Sequence, residues 1–126
     1  MAAAAIVFSI GAAVLGLFQI GLAAGAPWGA ASYGGSHPGV LPKRLRIVSG
    51  VFGITVCPAI IVFVLHAGDV VGTGLDGGWS DVVLWVLAVF FAFQTVINAI
   101  SPSRIERIWA PLALVMAVCA VVLALG

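Results

Sequence analysis

Residues 25–46 read GAPWGAASYGGSHPGVLPKRLR, and this stretch decides how the rest of the chain is arranged. It is the longest break in an otherwise apolar sequence, and it carries three of the five cationic residues. Its many glycines and prolines disfavour a regular helix, because proline donates no backbone hydrogen bond and glycine weakens a helix interior. We therefore expect this loop to lie in water, at the lipid headgroups, or folded back against protein.

The composition around this loop is that of an integral membrane protein. Of 126 residues, 63% are hydrophobic and 7% are charged, whereas soluble domains have about 25% charged residues. Four apolar runs cover approximately 3–24, 45–66, 81–100 and 105–125, and each is long enough to cross about 30 Å of hydrocarbon. The predicted fold is all-α, a single four-helix transmembrane domain over residues 1–126. The first run lacks a positive n-region, so we expect a retained helix rather than a cleaved signal peptide.

Charge predicts the orientation in the membrane. With four spans, the first and third loops face one side, and they hold every cation of the chain: Lys43, Arg44, Arg46, Arg104 and Arg107. The opposite side holds three aspartates, Asp69, Asp76 and Asp81. The positive-inside rule then predicts cytoplasmic first and third loops and both termini outside.

Small residues predict how the first two helices pack. They recur at three- and four-residue spacing in both runs: Ser9, Ala12, Ala13 and Gly16 in the first, and Ser49, Gly53 and Cys57 in the second. Such stripes let helix backbones approach closely in lipid, so these helices should contact one another or a second copy. Pro58 should kink the second helix. Cys57 and Cys119 lie in apolar runs without metal-ligand spacing, and we expect both to be small core residues.

The amide side chains within the spans all lie in the cytoplasmic half. Gln94 and Asn98 share one helix face, Gln19 lies at the same depth, and Glu106 is the only glutamate of the chain. Polar groups at membrane depth normally face the bundle interior or a cavity. The sequence therefore predicts a polar cavity under the first loop, with these candidate contacts: Gln19, Trp28, Arg44, Gln94, Asn98, Arg104, Glu106, Arg107 and Trp109.

Plainer roles are open for the same residues. The amides can serve only to hydrogen-bond a neighbouring helix, which is worth about 0.6 kcal/mol. Ser103 and Glu106 match a capping box, in which each side chain satisfies a backbone donor. Tyr33 and His37 are expected to be solvated, and the cations to contact lipid headgroups.

Three functions fit these features. The first is a module that binds or transports an amphipathic or anionic small molecule from the cytoplasmic leaflet. The second is a membrane-embedded enzyme acting on a lipid or isoprenoid-like substrate, with Glu106 as general acid or base and Asn98 positioning the substrate. The third is an accessory or scaffolding subunit of a membrane complex. No cofactor or metal is expected, and five cations are too few for nucleic-acid binding. Because four short helices enclose little volume, a large cavity is expected to need a homo-oligomer.

Two loop motifs carry a family resemblance. GAPWG at 25–29 with PGVLPKRLR at 38–46, and INAISPSRIERIWAP at 97–111, together resemble a group of small four-helix membrane proteins frequent in high-GC actinobacteria. The resemblance covers the whole chain. It implies a four-helix membrane fold in a bacterial cytoplasmic membrane, and it implies no activity.

Overall fold

The computed structural model describes residues 1–70 and 79–126, so Asp76 lies outside the described residues. Helix α1 covers Ala2–Ala23, and the second span comprises α2 (Lys43–Val51), a π-helical turn (Phe52–Val56) and α3 (Cys57–Ala67). Helix α4 covers Trp79–Ala99, and α5 covers Trp109–Leu125 after a 3-10 turn at Glu106–Ile108. Within these residues, four helices are long and apolar enough to cross a membrane. The all-helical prediction with four candidate spans is confirmed.

Pro58 is accommodated by the π-helical turn that precedes it. The amide of Cys57 donates to the carbonyl of Phe52, five residues back, and Pro58 follows in the first turn of α3. A proline ring clashes with the carbonyl four residues before it. A locally wider turn is one way to relieve that clash within a continuous span.

The small-residue stripes of α1 and the second span pack against one another. A Cβ atom built on Gly53 would lie 2.9 Å from the carbonyl oxygen of Gly16, and one built on Gly16 would lie 3.1 Å from the Cβ of Cys57. Cys57 is buried and free. The stripes were expected to contact one another or a second copy of the chain, and the structure contains the contact of α1 with the second span.

The hydrophobic core fills the half of the bundle that carries the termini. Phe8, Val64 and Met116 are fully buried there, and the rings of Phe8 and Phe91 meet edge to face with centroids 5.4 Å apart. A Cβ on Gly126 would contact Met1, so both termini lie together at this end, which we call the terminal end. The main cluster of buried apolar side chains therefore lies toward the terminal end, while Leu22 and Leu41 are buried at the opposite end.

The opposite end, which we call the cationic end, holds the first and third loops. Residues 24–42 fold back across the bundle through two 3-10 turns, Gly29–Ala31 and Tyr33–Gly35. Of the alternatives for this loop, the structure has the one in which it is folded against protein. We call residues 24–42 the roof.

Candidate functional site

The roof is fastened to the start of α5. The indole Nε1–H of Trp109 donates to the carbonyl of Ala31 at 2.9 Å, and the Ser103 hydroxyl donates to the carbonyl of Ala30. Both bonds join residues more than 70 positions apart in sequence. The roof and the segment between α4 and α5 thus form one structure at the cationic end.

Trp28 holds the roof to α1. Its ring stacks on Phe18 with centroids 5.9 Å apart, and Phe18 also contacts Trp109 at 4.8 Å. The ring of Trp28 occupies the space that a side chain on Gly21 would need. The position of Trp28 is therefore explained by packing.

Beneath the roof lies a cavity of about 380 Å³. Its walls come from α1, the second span, α4, α5 and the roof, and they are largely apolar and aromatic: Leu15, Phe18, Ala31, Tyr33, Phe52, Phe90, Phe91, Trp109 and Leu112 are among the lining residues. Ligand pockets usually range from about 300 to 1,000 Å³. A single chain therefore forms a cavity of ligand size, and the homo-oligomer expected for a larger cavity stays a prediction.

Five of the nine residues proposed from sequence as ligand contacts line this cavity. They are Gln19, Gln94, Asn98, Glu106 and Trp109. The other four, Trp28, Arg44, Arg104 and Arg107, are not among the lining residues.

The cationic side chains have other surroundings. Arg44 and Arg104 are exposed. The guanidinium of Arg107 donates to the carbonyl of Ser101 at 2.7 Å, and that of Arg46 donates to the carbonyl of Ala23 at 3.2 Å, at the C-terminus of α1. A cation at a helix C-terminus satisfies free carbonyls and opposes the helix dipole. These hydrogen bonds give Arg46 and Arg107 a structural role, because each guanidinium holds a backbone carbonyl outside the cavity lining.

Glu106 is the charged residue of the cavity wall. It is 5% exposed, and its Oε2 atom is buried without a hydrogen-bond partner among the described residues. Its backbone N–H donates to the Ser103 hydroxyl at 3.4 Å, which is one half of the expected capping box. The other half is not formed, since the N–H of Ser103 donates to the Ser101 hydroxyl at 3.2 Å. The carboxyl group of Glu106 thus does not cap the helix, and Glu106 is one of the residues that line the cavity.

The amides of the cavity wall come from α1 and α4. Asn98 is buried, and its Nδ2 donates to the backbone carbonyl of Gln94 at 2.7 Å, so the two residues share one helix face as predicted. Gln19 and Gln94 are partly buried. Within residues 1–70 and 79–126, no three His, Cys, Asp or Glu side chains come together as metal ligands.

The cavity is bordered by exposed side chains between α2 and α4. At this level α2 packs on α1, while α4 packs on α5. Val48 of α2 is 50% exposed and Phe90 of α4 is 42% exposed, although both line the cavity. Tyr33 and Gly34 of the roof also line the cavity and are exposed, so its exposed border includes both the gap between α2 and α4 and the roof.

Tyr33 is a lining residue that was not among the nine proposed contacts; it was expected to be solvated, and it is 40% exposed. It lines the cavity, and its hydroxyl lies 3.1 Å from the hydroxyl of Ser49, which is fully buried in α2. Its φ of 50° is left-handed, which is uncommon for a residue other than glycine. The flanking run of glycines was the available signal for a tight turn. His37, by contrast, is exposed and bonded to Ser36, as expected.

We expect the bond between Tyr33 and Ser49 to stabilise the closed roof. Changing Tyr33→Phe leaves the buried hydroxyl of Ser49 without its partner, which should lower the free energy of unfolding by about 1 kcal/mol. Thermal unfolding of Tyr33→Phe, Ser49→Ala and the double variant measures the coupling energy between the two hydroxyls. Additive losses in the double variant would show that the bond contributes nothing.

No family model matches the chain, and no curated protein or solved structure matches it significantly. The actinobacterial resemblance stays a prediction. The case for a function rests on the cavity.

Proposed function

We propose that this protein binds an amphipathic small molecule in the cavity beneath the roof. The observation that carries the proposal is the distribution of the lining residues: aromatic and aliphatic side chains make up most of the wall, and Gln19, Gln94, Asn98 and Glu106 supply a few polar groups. Pockets that bind small molecules have this mixture, in which apolar walls supply affinity and few polar groups supply orientation. The apolar part of the ligand contacts the rings, and its polar part contacts the amides and the carboxyl group.

The route of entry is from the lipid. The cavity is bordered by Val48 and Phe90 on its exposed side, and the helices that carry them are apolar enough to be membrane spans. The positive-inside rule puts the cationic end in the cytoplasm. The ligand accordingly enters sideways from the cytoplasmic leaflet of a multi-pass membrane protein. The core at the terminal end supports binding more than passage across the membrane.

The lining favours the amphipathic ligand over the anionic one. Glu106 is the charged residue among the described lining residues, and no Lys or Arg side chain is part of that lining. An anion would meet a carboxylate there and no countercharge. The exposed Arg44 and Arg104 instead contact the anionic headgroups of lipids.

A second candidate function is an enzyme acting on a lipid or isoprenoid-like substrate. The place of Glu106 in the cavity lining favours it, because a general acid or base must be within reach of the bound molecule. Asn98 is less suited to its expected role of positioning the substrate, since its Nδ2 already donates to the carbonyl of Gln94. The two candidates share one cavity and differ in whether the bound molecule is changed.

Photocrosslinking tests the proposed site. Decanol carrying a diazirine group is added to the protein in zwitterionic lipid nanodiscs, and labelled residues are mapped by mass spectrometry. We expect labels on the α4 and α5 residues that line the cavity, and Ala113→Phe should lower this labelling about tenfold because the new ring fills the space. Ala113 lines the cavity and is buried.

Leu114→Phe is the matched control, because Leu114 is the next residue of α5 and is 53% exposed. Labelling of the cavity should be unchanged in this variant. Equal labelling of all exposed helix faces, insensitive to Ala113→Phe, would show that decanol only dissolves in the surrounding lipid. Probe recovered in chemically altered form would identify the enzyme instead of the binding protein.

A further inference from the structure

The surroundings of Glu106 indicate what kind of polar group the ligand carries. The side chain is 5% exposed, its Oε2 atom has no donor among the described residues, and it lines the cavity. A buried carboxylate without a countercharge is costly, because desolvation is not repaid by an opposite charge or by hydrogen bonds. The missing partner is a positive group or a hydrogen-bond donor.

No Lys or Arg side chain is among the described residues that line the cavity, and Lys43 is exposed. Arg107 is the next residue in the chain, yet its guanidinium donates to the carbonyl of Ser101. Arg46 likewise donates to the carbonyl of Ala23. Arg44 and Arg104 are exposed and outside the described lining of the cavity. A countercharge for Glu106 therefore has to come from a molecule inside the cavity.

Aromatic rings surround the same space. Phe18, Tyr33, Phe52, Phe90, Phe91 and Trp109 all line it. The face of an aromatic ring attracts cations, by about 0.5 to 2 kcal/mol per contact, and the attraction grows as water is excluded. A carboxylate within aromatic walls is the combination expected for an organic ammonium group, whose charge is spread over carbon-bound hydrogens.

We propose that the ligand is an amphipathic organic cation, with its ammonium group beside Glu106 and its apolar chain extending between α2 and α4 toward the lipid. This inference rests on the proposed function, since it names the class of molecule that the same cavity binds. Gln19 and Gln94 add amide carbonyl oxygens, whose partial negative charge attracts an ammonium group. The exposed Val48 and Phe90 give the chain an apolar path out of the cavity.

Three ten-carbon probes with different charge test this class: decyltrimethylammonium, decanol and decanoate. Binding to the protein in zwitterionic nanodiscs is measured by titration calorimetry, with the heat of empty nanodiscs subtracted. We expect the cation to bind at least about tenfold more tightly than decanol and decanoate to bind most weakly. In Glu106→Gln, the ratio of the cation and decanol affinities should fall to about one, because the countercharge is lost.

Two further variants make the result specific. Glu106→Asp keeps the charge and should keep a preference for the cation, which also guards against misfolding of Glu106→Gln. Asp81→Asn removes an exposed carboxylate from the opposite end of α4 and should leave the affinity ratio as in the wild type. Decanol binding without a cation preference, or a preference that survives in Glu106→Gln, would overturn this inference and leave the proposed function standing. Failure of all three probes to bind would overturn both.

Discussion

Replacing Gly29 with alanine is expected to unfold the roof and to lower the free energy of unfolding by about 3 kcal/mol. At Gly29 the roof crosses itself: its N–H donates to the carbonyl of Gly39 at 2.8 Å, and an added Cβ would overlap the carbonyl oxygen of His37. The same Cβ would lie 2.7 Å from the Gly39 oxygen. Because these atoms belong to the backbone, no side-chain rotation relieves the clash.

The consequence reaches the cavity through the residues that follow Gly29. The carbonyls of Ala30 and Ala31 accept the bonds from Ser103 and Trp109, so a displaced crossing removes the contacts that join the two loops. Hydrogen exchange over residues 24–42 should become faster in Gly29→Ala. Thermal unfolding of the same variant measures the loss of stability.

Gly34→Ala is the control for this variant. Gly34 has a φ of 68°, but a Cβ there would meet no atom within 4 Å. That change should therefore cost only about 1 kcal/mol of backbone strain. If Gly29→Ala were no more destabilised than Gly34→Ala, the tight crossing would not be what holds the roof in place.

The fold was predictable because its decisive signals are local. The four spans follow from the length of apolar runs, and their ends lie within a few residues of the predicted ones because charged and turn-forming residues mark them. The contact of α1 with the second span followed from the positions of Gly16 and Gly53. The cations were expected on a shared side, and the bonds between the roof and the segment between α4 and α5 agree with this.

The site was predictable only where helix periodicity applied. Gln94 and Asn98 were assigned to one face, and both line the cavity together with Gln19, Glu106 and Trp109. Trp28 and three arginines were included among the candidate contacts because they lie in or beside the two loops that were expected to border the cavity. The direction in which the roof folds depends on where its backbone crosses itself, at Gly29 and Gly39. A periodic sequence pattern does not predict such a crossing. Tyr33 was missed for the same reason.

Glu106 shows how one short motif permits two roles. The capping-box pattern correctly placed the Ser103 hydroxyl near the N–H of Glu106. The reciprocal bond depends on the N–H of Ser103 being free, but that group donates to Ser101 instead. The hydroxyl of Ser101, two residues earlier, thus takes the N–H that the Glu106 carboxyl group would otherwise accept from.

The second large effect is expected from Gly53→Leu, in the contact between α1 and the second span. A Cβ on Gly53 would lie 2.9 Å from the carbonyl oxygen of Gly16 and 3.2 Å from the Cβ of Gln19. A leucine there has no room, so the two helices must separate, at a cost of about 3 kcal/mol. Since Gln19 and Phe52 line the cavity, the separation should also weaken binding of the decanol probe.

Ala59→Leu provides the comparison for Gly53→Leu, because Ala59 lies on an exposed face of α3 in the same span. A leucine there meets lipid instead of a backbone, and the free energy of unfolding should change by no more than about 0.5 kcal/mol. Thermal unfolding in nanodiscs compares the two variants directly. Equal stability would mean that α1 and the second span are held together elsewhere, by the core at the terminal end. A large loss in Gly53→Leu alone would show that close backbone approach at Gly16 and Gly53 holds these helices in register and positions Gln19 in the cavity wall.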